Sequence, residues 1–265
     1  NSARACSNLG NSYFKKNRYE DAIRMYEKAL TFPYSYPFIH YNLGATYEKI
    51  GLIDKAIEEY KASITSHNDN TLAFTNLGVL YDKQGLYDRA IEAYQQALAN
   101  NPYFPLAHNN LGNTYERRGN SEKALTEYKE ALKTDKNYAD AHNNLGAVYL
   151  KNGILDNAID ELQKASKLKP DHVDAHYNLG IAYAAKGLYQ EAIDELHLAI
   201  RYKVNDYAAY RDLGILYLRH HKDTPKALYY LKESLRFTTN PLETKKVREI
   251  IDAIPGATKP QPRNP

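Results

Sequence analysis

Cysteine occurs once in 265 residues, at Cys6, so no disulfide can close within the chain. Tryptophan is absent. No stretch approaches the roughly 18 consecutive apolar residues that a bilayer-spanning helix needs, and a mean hydropathy of −0.67 is that of a water-soluble chain. Neither charge sign dominates: 35 lysines and arginines stand against 32 aspartates and glutamates, for a net charge of +3 and a pI near 8.6. That is too mild for a nucleic-acid surface, which calls for a dense basic face. Signatures of catalysis are missing too: no glycine-rich phosphate loop, no nucleophile elbow, no CxxC or HExxH spacing. The sequence therefore predicts neither an enzyme nor a cofactor. Asn1-Ser2-Ala3-Arg4 has no Met and no signal-peptide core, so the chain is expected to be trimmed from something longer. A lone cysteine suits the cytoplasm and a periplasmic domain equally, which leaves the compartment undecided.

What is abundant is tyrosine, with 25 residues against 6 phenylalanines, and what organises it is a period. A Leu-Gly pair returns every 34 residues, at Leu9-Gly10, Leu43-Gly44, Leu77-Gly78, Leu111-Gly112, Leu145-Gly146, Leu179-Gly180 and Leu213-Gly214. Fixed spacing of this kind marks a stack of like units, each touching mainly its neighbours. Tyrosine follows each glycine by three, from Tyr13 and Tyr47 to Tyr183 and Tyr217, and Cys6, His40, Phe74, His108, His142, His176 or Tyr210 precedes each leucine by three. These offsets fall on one stripe of a helix. Glycine inside a helix costs about 1 kcal/mol relative to alanine, so its return predicts two helix backbones crossing closely. Seven residues on, Asn17, Gly51, Gly85, Gly119, Gly153, Gly187 or His221 marks the helix end.

A second helix carries Ala22, Ala56, Ala90, Ala124, Ala158 and Ala192, then Tyr26, Tyr60, Tyr94, Tyr128, Leu162 and Leu196 on its inward face. Pro33, Pro102 and Pro170 sit where the next unit must begin. The seventh unit has one extra residue within Arg219–Pro225, which shifts its alanine to Ala227.

This pattern resembles the tetratricopeptide repeat. The resemblance implies an all-α, right-handed superhelical solenoid of seven antiparallel helix pairs, spanning 3–36, 37–70, 71–104, 105–138, 139–172, 173–206 and 207–240. A capping helix is expected over 241–254, with Leu242, Val247, Ile250, Ile251 and Ile254 on one face, then a disordered Pro-rich tail over 255–265. The family's usual tryptophan is replaced four times by histidine. Successive histidines lie roughly 10 Å apart in such a stack, too far to share a zinc ion whose nitrogens sit near 2.0–2.1 Å. No metal site is expected; packing in place of an aromatic is.

Asn8, Asn42, Asn76, Asn110, Asn144 and Asn178 precede the leucines, with Asp212 in the seventh unit. In the family's superhelix that side faces the concave surface. A carboxamide both donates and accepts, so the column could hold an extended backbone. Repeats about 10 Å apart match an advance of roughly 3.3 Å per extended residue, one asparagine to every third residue. The column resembles that on the repeat arm of O-linked N-acetylglucosamine transferases and in kinesin light chains. Beside it run Lys15, Lys49, Lys83, Arg117 and Lys151, which would favour an acidic ligand, partly cancelled by Glu48, Asp82 and Glu116. Farther along, Ile181 and Ile215 join Leu150 and Leu218 in an apolar stretch expected to anchor a partner's hydrophobic side chain, unless the capping helix covers it. The expected function is a protein–protein interaction scaffold binding an extended peptide or protein segment, without nucleic acid or membrane insertion. The alternatives are a self-assembling scaffold, and the substrate-recruiting arm of a larger glycosyltransferase, free or membrane-bound.

Overall fold

Each unit writes two amphipathic stretches separated by a residue that accepts left-handed backbone, and each folds as a helical hairpin. The computed structural model describes residues 2–33, 38–66 and 70–255. Among these residues it holds fifteen α-helices and no strand. The pairs are α1 (Ala3–Lys15) with α2 (Tyr19–Leu30), α3 (Ile39–Lys49) with α4 (Ile53–Ser66), α5 (Thr71–Lys83) with α6 (Tyr87–Asn100), and α7 (Pro105–Arg117) with α8 (Ser121–Thr134). They continue as α9 (Ala139–Lys151) with α10 (Leu155–Leu168), α11 (Val173–Ala185) with α12 (Tyr189–Tyr202), and α13 (Tyr207–Arg219) with α14 (Thr224–Phe237), followed by α15 (Pro241–Asp252). The chain forms two compact units: Asn1–Lys136 carries the first four pairs and Asn137–Pro265 the rest.

The turn inside each pair is closed by a left-handed residue. Gly85 has φ +74°, and the next N–H, of Leu86, donates back to the Tyr81 carbonyl at 2.9 Å. Asn17 takes the same role with φ 58°. In the seventh pair the extra residue moves this role from His221, where the period placed it, to Lys222 with φ 51°. The closing bond there spans one residue more, from Asp223 N to Tyr217 O at 3.0 Å.

The Leu-Gly glycine lets the second helix come close, as its recurrence suggests: a Cβ at Gly146 would lie 3.2 Å from the Ala158 carbonyl oxygen and one at Gly214 3.1 Å from the Leu231 nitrogen. A Cβ at Gly78 would lie 2.6 Å from the Tyr94 ring, and one at Gly146 2.7 Å from Leu162 Cγ. The absent methyl makes room mainly for a large side chain of the second helix. The alanines flanking that side chain, such as Ala90, Ala97, Ala158 and Ala165, are completely buried. Burial of this kind stabilises by about 25 cal/mol per Å² of apolar surface removed from water.

The first helices α1 and α3, α5 and α7, and α9 and α11 touch directly, and no two second helices make a comparable contact. First helices therefore line the tighter side of the stack. The C-terminal helix packs through Val247 and Ile251, with Ile254 just beyond its end, against Leu231. Leu242, expected on that face, is 60% exposed at the helix start. Of the expected disordered tail only Pro255 is among the described residues. At the other end Leu9 is 43% exposed, whereas Leu43 is 1% and Leu213 0%.

Candidate functional site

The face built by the first helices is polar because side chains from three places converge there. In the first unit the buried second-helix tyrosines reach it with their hydroxyls. Tyr26 donates to Asn11 Oδ1 at 2.6 Å, Tyr60 to Glu48 Oε2 at 3.1 Å, and Tyr128 to Asn113 Oδ1 at 2.7 Å. Burial pushes the Tyr26 phenol up to about 12 and drives those of Tyr60 and Tyr128 higher still, so all three are neutral donors at physiological pH.

The asparagine column stands on this face, half-buried except for the exposed Asn8. Part of its hydrogen-bonding capacity goes to neighbouring repeats. Asn42 Nδ2 donates to Asn11 Oδ1 at 3.1 Å, and Asn178 Nδ2 to Asn143 Oδ1 at 3.0 Å. Asn76 Nδ2 donates twice, to the hydroxyls of Tyr60 (3.1 Å) and Tyr41 (3.3 Å). Asn144 accepts from Asn143 Nδ2 at 3.3 Å. The amides of Asn8 and Asn110 meet no protein partner among the described residues. A carboxamide has two N–H groups and two acceptor lone pairs. Asn76 thus keeps only its oxygen for a ligand, Asn42 and Asn178 keep the oxygen and one N–H, and Asn110 keeps everything. In the seventh pair Asp212 accepts from the Tyr177 hydroxyl at 2.9 Å and pairs with Arg211, which also reaches Glu243 of α15 at 3.1 Å.

The cation row is likewise tied between repeats. Lys83 Nζ lies 3.2 Å from Glu48, and Arg117 pairs with Asp82. Each cation meets the carboxylate 35 residues earlier, on the preceding repeat. Lys15 and Lys49 have no carboxylate within ion-pair distance among the described residues. Lys151 has an interaction of its own. Of the apolar stretch, Ile181 is half-buried. Ile215 and Leu218 pack against the cluster of Leu231, Val247 and Ile251, so the C-terminal helix takes up much of the apolar surface the sequence offered to a partner.

A cavity of about 400 Å³ opens on the same face between the first two repeats, lined by Phe14, Lys15, Tyr26, Tyr41, Asn42 and Ala45. Among the described residues no group of three His, Cys, Asp or Glu is placed to hold a metal ion, and no helix is long and apolar enough to cross a membrane.

Family models described as TPR repeat match residues 10–51, 117–153 and 154–187, and others described as tetratricopeptide repeat match 39–70, 71–104, 93–126 and 173–203. Together they run without a gap from residue 10 to 203. The chain belongs to the tetratricopeptide repeat family. Among solved structures, MamA is 29% identical with a TM-score of 0.55, over 65% of this chain and 97% of that one. YrrB, described as a TPR protein with an unusual peptide-binding site, is 20% identical with a TM-score of 0.58, over 73% and 99%. The Cut9–Hcn1 hetero-tetramer of the APC/C is 22% identical with a TM-score of 0.69, over 95% and 55%. No curated protein matches the chain by sequence.

The histidines that replace tryptophan in this tetratricopeptide array do more than fill space. His40, His108, His142 and His176 each set Nδ1 against a glutamate 19 residues on, Glu59, Glu127, Glu161 and Glu195, at 2.5–2.8 Å. Nε2 of His108 and His176 also bonds the carbonyls of Pro102 (3.0 Å) and Pro170 (2.8 Å) in the entering turn. A ring flanked by a carboxylate and a carbonyl must donate from both nitrogens, which makes it an imidazolium. Burial opposes the charge on His108, but the bonds to Glu127 and Pro102 outweigh it and raise its pKa. On His176 the Glu195 bond dominates, with the same result. The signal was in the sequence: histidine and the glutamate 19 later occur together, and are lost together as Phe74 with Ala93.

Proposed function

We propose that this tetratricopeptide array is a protein-interaction scaffold that holds an extended peptide segment along its first helices and performs no chemistry itself. The observation that carries this reading is the asparagine column, in which Asn42, Asn76 and Asn178 are held by bonds to adjacent repeats while keeping acceptor oxygens and some N–H groups for a ligand. Side chains held by their neighbours lose little rotamer freedom on binding, which lowers the ordering cost. An oxygen at every repeat, roughly 10 Å from the next, suits the N–H groups of a strand advancing 3.3 Å per residue. The peptide-binding site in the printed description of YrrB supports the reading by analogy of fold.

The asparagine best suited to a test is Asn110, because its amide supports no neighbouring repeat. Asn110→Ala is expected to weaken peptides selected on an array about two- to tenfold, the loss of one neutral hydrogen bond, without moving the melting temperature. Unchanged affinity for every selected peptide would remove the groove from consideration.

A further inference from the structure

We propose that the gap between the second helices α4 and α6 is a further docking site, separate from the asparagine face, where a partner protein seats a large apolar side chain with a carboxylate beside it.

A cavity of about 350 Å³ opens there, lined by Phe74, Leu77 and Ala93 and by the polar Lys61, Arg89 and Glu92. The third repeat makes it by departing from the others. In four repeats the place of Phe74 is a histidine bonded to a glutamate 19 residues on, as His40 to Glu59 and His108 to Glu127. Ala93 stands where that glutamate would. The first and seventh repeats also lack the pair, but they put Met25 and Tyr230 at this place. In the third a methyl group is all that remains, and the rest of the space is open.

A second bond is missing at the same junction. Elsewhere the second helix of one repeat bonds the first-helix tyrosine of the next: the Tyr47 hydroxyl donates to Glu27 at 3.0 Å, and Gln163 donates to the Tyr183 hydroxyl at 2.7 Å. Lys61 holds the equivalent place before Tyr81, which also lines the cavity. Neither the Lys61 ammonium nor the Tyr81 hydroxyl has a hydrogen-bond or ion-pair partner among the described residues. Arg89 lies over the Tyr81 ring, 5.9 Å from its centroid, and has no carboxylate partner among them either. Glu92 is likewise unpaired there, so two cations and one carboxylate leave the site positive. Its volume falls within the range of ligand pockets. An apolar side chain entering over Phe74, Leu77 and Ala93 would displace water and strengthen the pull of Lys61 and Arg89 on an adjoining carboxylate. The cavity is a gap between helices at the surface, so the backbone carrying that side chain stays outside, which a protein segment allows.

Fluorescence anisotropy with three labelled ten-residue peptides tests this: one with Asp-Glu beside Phe, one with Lys-Lys in place of the acids, and one with Ala in place of Phe. The first is expected to bind wild type about tenfold tighter than either copy, the scale of burying one large apolar side chain. The double variant Phe74→His/Ala93→Glu writes in the pair that four repeats already carry, fills the cavity and is expected to erase both preferences. Lys61→Gln copies Gln163 and is expected to weaken the preference over the charge-reversed peptide alone; it decides the matter if the double variant loses its helical signal. Asn110→Ala, on the asparagine face, is expected to keep both preferences. A wild type that does not distinguish the three peptides, or a folded cavity variant that keeps the wild-type preferences, overturns the site. Loss of the preferences in Asn110→Ala also overturns it, and assigns the peptide to the groove instead.

Discussion

The two compact units are built on one plan and differ at one buried position. Where the second helix meets the Leu-Gly glycine, the first unit places Tyr26, Tyr60, Tyr94 and Tyr128, and the second unit Leu162, Leu196 and Leu231. Both side chains fill the same space. Only tyrosine carries a hydroxyl past the core to the first-helix face, where Asn11, Glu48 and Asn113 receive it. In the second unit that face must be polar by its own means, through Asn143 with Asn178 and Tyr177 with Asp212 and Arg211. Leu150 of the first-helix face packs against the Leu162 cluster, at the position that Glu48 holds in the first unit. A single core choice therefore sets the chemistry of the surface above it.

The largest expected effect tests what the units share. Gly112→Ala would press a methyl into the Tyr128 ring, 2.6 Å away, and is expected to cost about 3 kcal/mol, the upper end of overpacking penalties, seen as a lower urea midpoint. Adding Tyr128→Leu should restore little, because Leu162 crowds Gly146 just as closely.

Next comes the exchange that would make the second unit resemble the first. Leu162→Tyr brings a hydroxyl beside Ala147 and Leu150 and is expected to cost about 1–3 kcal/mol for an unmet buried donor. Ala147→Asn in the same chain supplies the partner that Tyr128 has in Asn113, and is expected to recover at least half the midpoint. No recovery would mean that the hydroxyls are incidental to the difference between units. Tyr128→Phe removes a hydroxyl where one is used, for an expected loss of about 0.5–1.5 kcal/mol in the same assay.

The smallest effect is common to both units. His108 and His176 have pKa values raised from 6.5. Their contribution is full below that unfolded value and is lost as pH rises through the folded one. His172 and His197 behave oppositely: burial lowers both, so their contribution is present above pH 6.5 and lost as pH falls through the folded values. The double variant Glu127→Gln/Glu195→Gln should therefore lower stability below pH 6.5, where that contribution is full, and flatten its loss above, as followed by urea midpoints across pH.

Much of the site was written in the residues. The asparagine column, the cations and the change from tyrosine to leucine are all visible at a spacing of 34. Their connections were not. Asn76 appeared as a ligand donor, but both its N–H groups go to tyrosines. Arg117 appeared as a charge for a ligand, but Asp82 holds it. Ile215 appeared as groove lining, but the C-terminal helix shares it. A period states which residues are equivalent; it does not state which of them touch.

The sequence alone determined the helical hairpins, their number and the stripe each buries, because helix ends, small residues and apolar spacing act locally within a few turns. The tertiary structure decided how much of each polar group is left for a partner. That depends on distances between side chains 15 to 35 residues apart, set by how closely one hairpin packs on the next. Phe14 shows the division: its place in the period is plain from the letters, whereas the cavity it lines with Tyr41 and Asn42 exists only once the second repeat has stacked on the first.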